Sequence, residues 1–290
     1  MEGTDTPASM DVDDVDNLGQ VIEQCKDYLA SLKEFCQTMT EPFYILETIG
    51  QRERKEWHDL RGPRATASEA KSLIGLLSKR STDNGKMNWL RRNVWGLDKE
   101  KIESLKAVQY GIENEPRAVA AYESDLRSRV ELVKVAETGM WMKPMYYQLS
   151  CSPDGIVSYC DRDSTDNCSV LLEVKCLEVL KEIHPADFDK VLNKKQLASF
   201  CLKKVKGKIV LNRNHKFNYQ IQMCMDLCEI YRCHFVVWSR KGIVILEIEY
   251  DDDFRAPKRQ ALIEAHRKIV IPEVVTKRAF RKLVPLVLDY

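Results

Sequence analysis

The sequence predicts a layered α/β domain, with a mixed central sheet flanked by helices and a helical hairpin in front of it. Three observations carry this. Apolar residues recur at helical spacing from Leu18 towards Leu60 and again over about 101–127. From Ser128 the pattern shortens to runs of period two, which read as strands. Beyond about 217, helix and strand patterns follow one another to the end. With 290 residues, 44% of them hydrophobic and 31% charged, the chain has material for one large core or two small ones.

Taken in order, residues 1–16 contain Glu2, Asp5, Asp11, Asp13, Asp14 and Asp16 and no Lys or Arg, which predicts a disordered acidic tail. From Asn17, an N-cap candidate, Leu18, Val21, Ile22, Cys25, Leu29, Leu32, Phe35 and Cys36 make one helical face. A second helix is expected after Thr40, with Pro42 in its first turn, running towards Leu60. The pair forms a helical extension over 17–50 in front of a main domain over 51–290. A long helix is expected over 101–127, then strands over 131–135, 145–150, 156–159 and 170–175, the last two joined by a polar loop. Another helix spans 217–230, with strands at 234–238 and 243–250. The tail from Asp251 reads as mostly helical, interrupted at Pro272.

Composition excludes several function classes. No run approaches the roughly 18 apolar residues of a membrane span. The opening Met-Glu-Gly-Thr-Asp has neither a basic nor an apolar signal region, so no secretory signal is expected. Ten cysteines in that context read as reduced thiols of an intracellular protein, with nucleus and cytoplasm left open. No Gly-rich phosphate loop and no Gly-x-Ser-x-Gly stands in the chain. Cys224, Cys228, Cys233 and His234 crowd together, but two of these thiols lie in a helical pattern, so they read as buried apolar residues rather than zinc ligands. The net charge of +1 hides an asymmetry, because without the six N-terminal acids 38 acidic residues face 45 basic ones. Over 190–216, Lys190, Lys194, Lys195, Lys203, Lys204, Lys206, Lys208, Arg213 and Lys216 stand without an acid among them, the footprint expected for a polyanionic partner.

The chemistry centres on Ser152-Pro153-Asp154-Gly155 and Leu171-Leu172-Glu173-Val174-Lys175. Side chains alternate on a strand, so Glu173 and Lys175 share a face and Val174 points away. A hairpin between the two segments brings Asp154 beside Glu173. Two carboxylates with a lysine at one end of a sheet suit Mg²⁺ or Mn²⁺, which takes a few carboxylate oxygens and leaves room for a phosphate oxygen. Lys175 would orient a water or offset charge developing in the transition state. Taken singly, the first segment is an ordinary turn and the second an ordinary same-face ion pair.

Asp154 followed by Glu173-Val174-Lys175 resembles the PD-(D/E)XK nuclease signature. The segments around it, from Trp57 to about Trp238, resemble the YqaJ-type viral recombinases related to phage lambda exonuclease. The resemblance implies a restriction-endonuclease-like core and assigns roles by block. In Trp57-His58-Asp59-Leu60-Arg61 and Thr66-Ala67-Ser68, it makes Arg61 and Ser68 the holders of a DNA 5′-phosphate, with Arg64 a second candidate. A guanidinium that forks onto phosphate oxygens and a hydroxyl at a helix start suit that task. In Tyr110-Gly111-Ile112-Glu113-Asn114-Glu115 the functional acid is Glu115, which also shares a helical face with Val119, Tyr122 and Leu126, whereas Glu113 does not. Pro116 predicts a kink or restart just after it. The implied metal ligands are Asp154, Glu173, Glu115 and the main-chain carbonyl of Val174. In Tyr219-Gln220-Ile221-Gln222, Gln220 is the glutamine beside the metal, although a merely buried glutamine makes the same pattern. The implied activity is Mg²⁺-dependent 5′→3′ hydrolysis of linear double-stranded DNA ends in recombination or repair. A homo-oligomer and a single-strand-annealing partner follow by analogy. A structure-specific endonuclease and a non-catalytic nucleic-acid-binding accessory protein remain the alternatives.

Overall fold

The computed structural model describes residues 17–97, 99–160 and 167–290. The predicted acidic tail and residues 161–166 of the polar loop lie outside them. The chain begins with helix α1 (Leu18–Phe35), strand β1 (Phe43–Ile45), helix α2 (Lys55–Arg61), strand β2 (Ala65–Thr66) and helices α3 (Ala70–Gly75) and α4 (Asp83–Asn93). A one-turn helix at Lys99–Glu103 precedes the long α5 (Lys106–Arg127). Strands β3 (Glu131–Ala136), β4 (Met140–Met142), β5 (Leu149–Ser150), β6 (Gly155–Cys160) and β7 (Asn167–Cys176) follow. Then come helix α6 (Lys194–Ser199), strands β8 (Leu202–Val205) and β9 (Lys208–Leu211), and helix α7 (Lys216–Cys228). Strands β10 (Arg232–Ser239) and β11 (Gly242–Glu249) and helices α8 (Asp252–Ala265) and α9 (Ile271–Thr276) complete the chain. Among the described residues no helix is long and apolar enough to cross a membrane.

Five strands form a mixed sheet in the order β11-β10-β7-β6-β3, in which only β10 and β7 run parallel. Strand β7 is its centre, and its run Val170-Leu171-Leu172 is fully buried because helices cover both faces. Alternation sends Val170, Leu172 and Val174 towards Tyr110, Ala118, Tyr122 and Leu126 of α5. Leu171, with Phe235 and Val237 of β10, faces Ile221, Met223 and Leu227 of α7. Removing one such leucine side chain costs about 2–5 kcal/mol. Glu173 is the one charge in this buried run, so it must find partners at the strand end. Helix α7 is buried along nearly its whole length. On its outer side Asp226 receives Arg259 at 3.0 and 3.1 Å and the Tyr250 hydroxyl at 3.1 Å, with Arg255 at 3.4 Å, which ties α7 to α8.

Four sequence expectations are corrected. The second helix of the N-terminal hairpin does not form. Phe43-Tyr44-Ile45 is a strand paired antiparallel with Met140–Met142, helix resumes only at Lys55, and Gly50 between them is left-handed at φ 88°. Proline at 42 lacks an N–H, and the aromatic and β-branched residues after it suit a strand once a partner is present. Helix α1 packs instead on the end of the chain, with Val21, Cys25 and Leu32 against Ile271 and Leu288. The expected strand over 145–150 shrinks to Leu149–Ser150, because Pro144–Tyr146 is a 3-10 turn. Helix α5 begins at Lys106 and runs through Pro116 without restarting. The tail is interrupted before Pro272, by a π-turn at His266–Val270.

Candidate active site

Gly155 pairs with Leu172 in the β6–β7 ladder, so Asp154 lies one step beyond it, opposite Glu173. Its main-chain N–H donates to Leu172 O at 3.1 Å, and its carboxylate accepts from the Val174 N–H at 2.7 Å. The side chain thus continues the ladder past the end of β6. On the same face, the Lys175 ammonium donates to Val174 O at 2.9 Å, touches Glu173 Oε1 and lies 3.6 Å from Asp154 Oδ2. Burial opposes that charge, but Asp154, Glu173 and Glu115 together outweigh it and hold the ammonium above its ordinary value.

Glu173 is 1% exposed. Gln220, in the first turns of α7, donates Nε2–H to Glu173 Oε1 at 2.6 Å, while Glu173 Oε2 is buried without a partner. Burial, and then the Asp154 carboxylate, push Glu173 up to about 8, with Lys175 working against them. Glu115 is carried by α5, the helix on the opposite face of the sheet, and feels the cluster's charges. Burial first and Asp154 second raise its pKa, and Lys175 and Arg52 oppose the shift. Glu113 is exposed.

The predicted metal ligands pass one test of fit. Asp154 Oδ2, Glu173 Oε1 and Val174 O surround a single cation, the Lys175 ammonium, and the orphaned Glu173 Oε2 is a buried oxygen in want of another. Among the described residues no three acid, thiol or imidazole groups converge ready-made on a metal. Two carboxylates and a carbonyl are a hard, sparse donor set, which is what Mg²⁺ accepts.

The phosphate block lies beside this centre. Arg61, at the end of α2, donates to Ser68 Oγ at 2.9 Å and stacks 4.6 Å over the Trp57 ring one helical turn earlier. Thr66 Oγ1 lies 3.3 Å from Ser68 Oγ, and Trp57 Nε1–H donates to Ser152 Oγ at 2.9 Å. Arg61, Ser68, Asp154 and Gln220 line one cavity of about 120 Å³, joined there by Gln51 and Thr66. Arg64 is elsewhere. It is buried, donates to Leu60 O at 3.1 Å and stacks 5.2 Å from the Phe35 ring, so it braces the end of α1.

Sequence reasoning singled out neither Gln51 nor Phe217, whose ring lies 5.4 Å from the Lys175 ammonium. Trp57, which opens the first block, stands four residues before Arg61 on one helix. Of the residues weighed as a zinc set, Cys224, Cys228 and Cys233 are buried together in the main core, whereas His234 Nδ1 meets the Tyr122 hydroxyl at 2.5 Å in the other core. The basic stretch folds as α6 and the β8–β9 hairpin, turned at left-handed Lys206 and Gly207, with its lysines exposed. Acids from outside it pair Lys190 with Asp187, Lys204 with Asp189 and Arg213 with Asp251.

The fold is mixed α/β, and its sheet carries a carboxylate pair, a lysine and a glutamine at one strand end. The chain belongs to the family of YqaJ-like viral recombinase domains, whose model matches residues 56–227, more than half of its length. Among solved structures it is similar to the alkaline exonuclease LHK-Exo from Laribacter hongkongensis, at 20% identity and a TM-score of 0.49 over 78% of this chain and 98% of that one. LHK-Exo in complex with dAMP gives 21% identity and a TM-score of 0.48 over 73% and 90%. A phage-related exonuclease from Haemophilus somnus 129PT gives 14% identity and a TM-score of 0.44 over 76% and 98%. No curated protein matches in sequence.

Proposed function

We propose that the protein is a Mg²⁺- or Mn²⁺-dependent deoxyribonuclease that degrades linear duplex DNA from phosphorylated 5′ ends, in recombination or repair. The carrying observation is the shared cavity: Arg61 and Ser68 line the same 120 Å³ as Asp154 and Gln220. A terminal phosphate held by the first pair puts the nearest phosphodiester beside the second, which favours stepwise removal from an end. Asp154, Glu173 and the Val174 carbonyl would hold the metal, with Glu115 as a further carboxylate.

When bound, the cation polarises the scissile phosphate. The remaining work falls to side chains. Asp154 and Glu173 keep fixed positions because Val174 N–H and Gln220 hold one oxygen of each. Lys175, kept charged by three carboxylates, offsets negative charge that builds on the phosphate. Arg61 anchors the end through paired N–H donors, with its plane set by Trp57. The exposed lysines of the β8–β9 hairpin would follow the DNA backbone without reading sequence. A homo-oligomer and a single-strand-annealing partner rest on the family resemblance alone.

The test uses linear duplex labelled at either end, with and without a 5′-phosphate, in Mg²⁺ and in EDTA. The reading expects progressive Mg²⁺-dependent loss from phosphorylated 5′ ends. Cleavage confined to branched substrates would make the protein an endonuclease, and binding without cleavage would make it an accessory protein.

A further inference from the structure

The turn that crosses the site is held in an unusual backbone state. Gly50 has φ 88° and Gln51 has φ 45°, two successive residues in the left-handed region, which glycine enters freely and glutamine does not. Strain of this kind persists where surrounding contacts over-determine it. Here Met140 N–H donates to Thr48 Oγ1 at 2.7 Å, tying the turn to β4. Arg54 Nε–H donates to Ile49 O at 3.1 Å, and His58 Nε2 meets Arg52 O at 2.9 Å. Gly139 packs so closely beneath that any Cβ there would collide with Thr48 Oγ1 and Ile45 O.

The result of this bracing is the direction of one side chain. Gln51 turns into the site, lines the 120 Å³ cavity beside Asp154, and donates Nε2–H to Pro153 O at 3.0 Å, across 102 residues of sequence. The Pro153 carbonyl and the Asp154 N–H belong to one planar peptide unit. That unit is held on one side by Gln51 and on the other by Leu172 O, at 3.1 Å from the Asp154 nitrogen. Upstream, proline fixes its own φ, so the orientation of that unit turns on the ψ of Pro153.

We propose that Gln51 is a positioning residue for Asp154, setting the peptide plane from which the metal-ligating carboxylate projects. It lies outside the segment that matches the family model. The inference rests on the proposed metal site, and its test therefore reads metal binding as well as cleavage.

The variants are Gln51→Gly, which removes the amide and relieves the left-handed backbone, and Gln51→Asn, which tolerates that backbone and keeps a shorter amide. Mn²⁺ binding is measured by the rise in Tm across a titration, and Mg²⁺ dependence by cleavage of phosphorylated duplex. Gln51→Gly is expected to melt at or above the wild-type temperature in EDTA, yet to need about tenfold more metal for half-maximal response in both assays. Gln51→Asn is expected to fall between the two. Wild-type metal midpoints in Gln51→Gly would overturn the proposal. A wild-type chain with no metal response in either assay would overturn the underlying nuclease reading, and this one with it.

Discussion

Gln220 on α7 and Glu173 on β7 meet at 2.6 Å, and among the described residues Gln220 is the one side-chain partner Glu173 has besides Lys175. The other carboxylate oxygen is buried and unbonded. Replacing the glutamine leaves Oε1 with Lys175 alone beside the unbonded Oε2, a loss of about 1–3 kcal/mol at a buried group. Gln220→Leu should therefore lower cleavage by roughly 10–100-fold with a raised Mg²⁺ requirement. Steady-state rates across a Mg²⁺ titration check both effects; an unchanged titration would show that the glutamine is only packed there.

Lys175 is the cation that the carboxylates share. Lys175→Met leaves Asp154 and Glu173 facing one another uncompensated. Cleavage should fall by roughly 10²–10³-fold. Mg²⁺ should raise the Tm of this variant more than that of the wild type, because the metal then replaces the missing positive charge. Calorimetry with and without Mg²⁺ reads the difference directly.

The two arginines separate by environment. Arg61 lines the cavity and Arg64 is buried against Phe35. Arg61→Ala should erase the preference for phosphorylated over hydroxyl 5′ ends, by roughly 10–100-fold, with little change in Tm. Arg64→Ala should keep the preference and lose about 1–3 kcal/mol of stability through lost packing. Competition between the two kinds of duplex end, together with melts of both variants, tests the assignment.

Asp226 is the buried acid between two arginines, and Arg255 beside it is 6% exposed. Removing it strands a buried charge and loosens α7 from α8. Asp226→Ala should cost about 3–5 kcal/mol in urea unfolding. Asp226→Asn, which keeps hydrogen-bonding oxygen, should cost less.

His266 is fully buried, with Nε2 at 2.8 Å from Pro63 O and Nδ1 unpartnered. Burial pushes its pKa down from 6.5 to about 4, and Arg64 adds to the shift. The unfolded chain then binds a proton between those values that the folded chain refuses, so stability falls as pH drops through 6.5 and levels off near 4. From pH 7.5 to 5 the loss attributable to this residue is about 2 kcal/mol. His266→Gln, which still donates to Pro63 O, should show a shallower slope by that amount in urea titrations at the two pH values.

Much of this was legible in the chain. The continuous apolar run around Leu171 announces a strand covered on both faces, and the alternation of Glu173, Val174 and Lys175 assigns each to its side. The apolar partners of Gln220 on α7 predict that it points inward, and it does. Such patterns are local, set by backbone geometry that repeats every two or 3.6 residues.

What tertiary structure alone decided involves residues with no such signature. Phe43-Tyr44-Ile45 fits a helix face or a strand equally well, and Met140–Met142, nearly a hundred residues later, supplies the ladder that settles it. Arg61 and Arg64 stand three residues apart, and only the packing of α1 on one side and the cavity on the other sends them to different tasks. Gln51 reaches Pro153 across 102 residues through a turn whose backbone no sequence rule favours for glutamine. Short-range spacing determined the strands, helices and carboxylates, because those follow from local geometry. The pairing of distant segments determined which polar groups meet, because a buried bond forms only where the whole fold brings its two ends together.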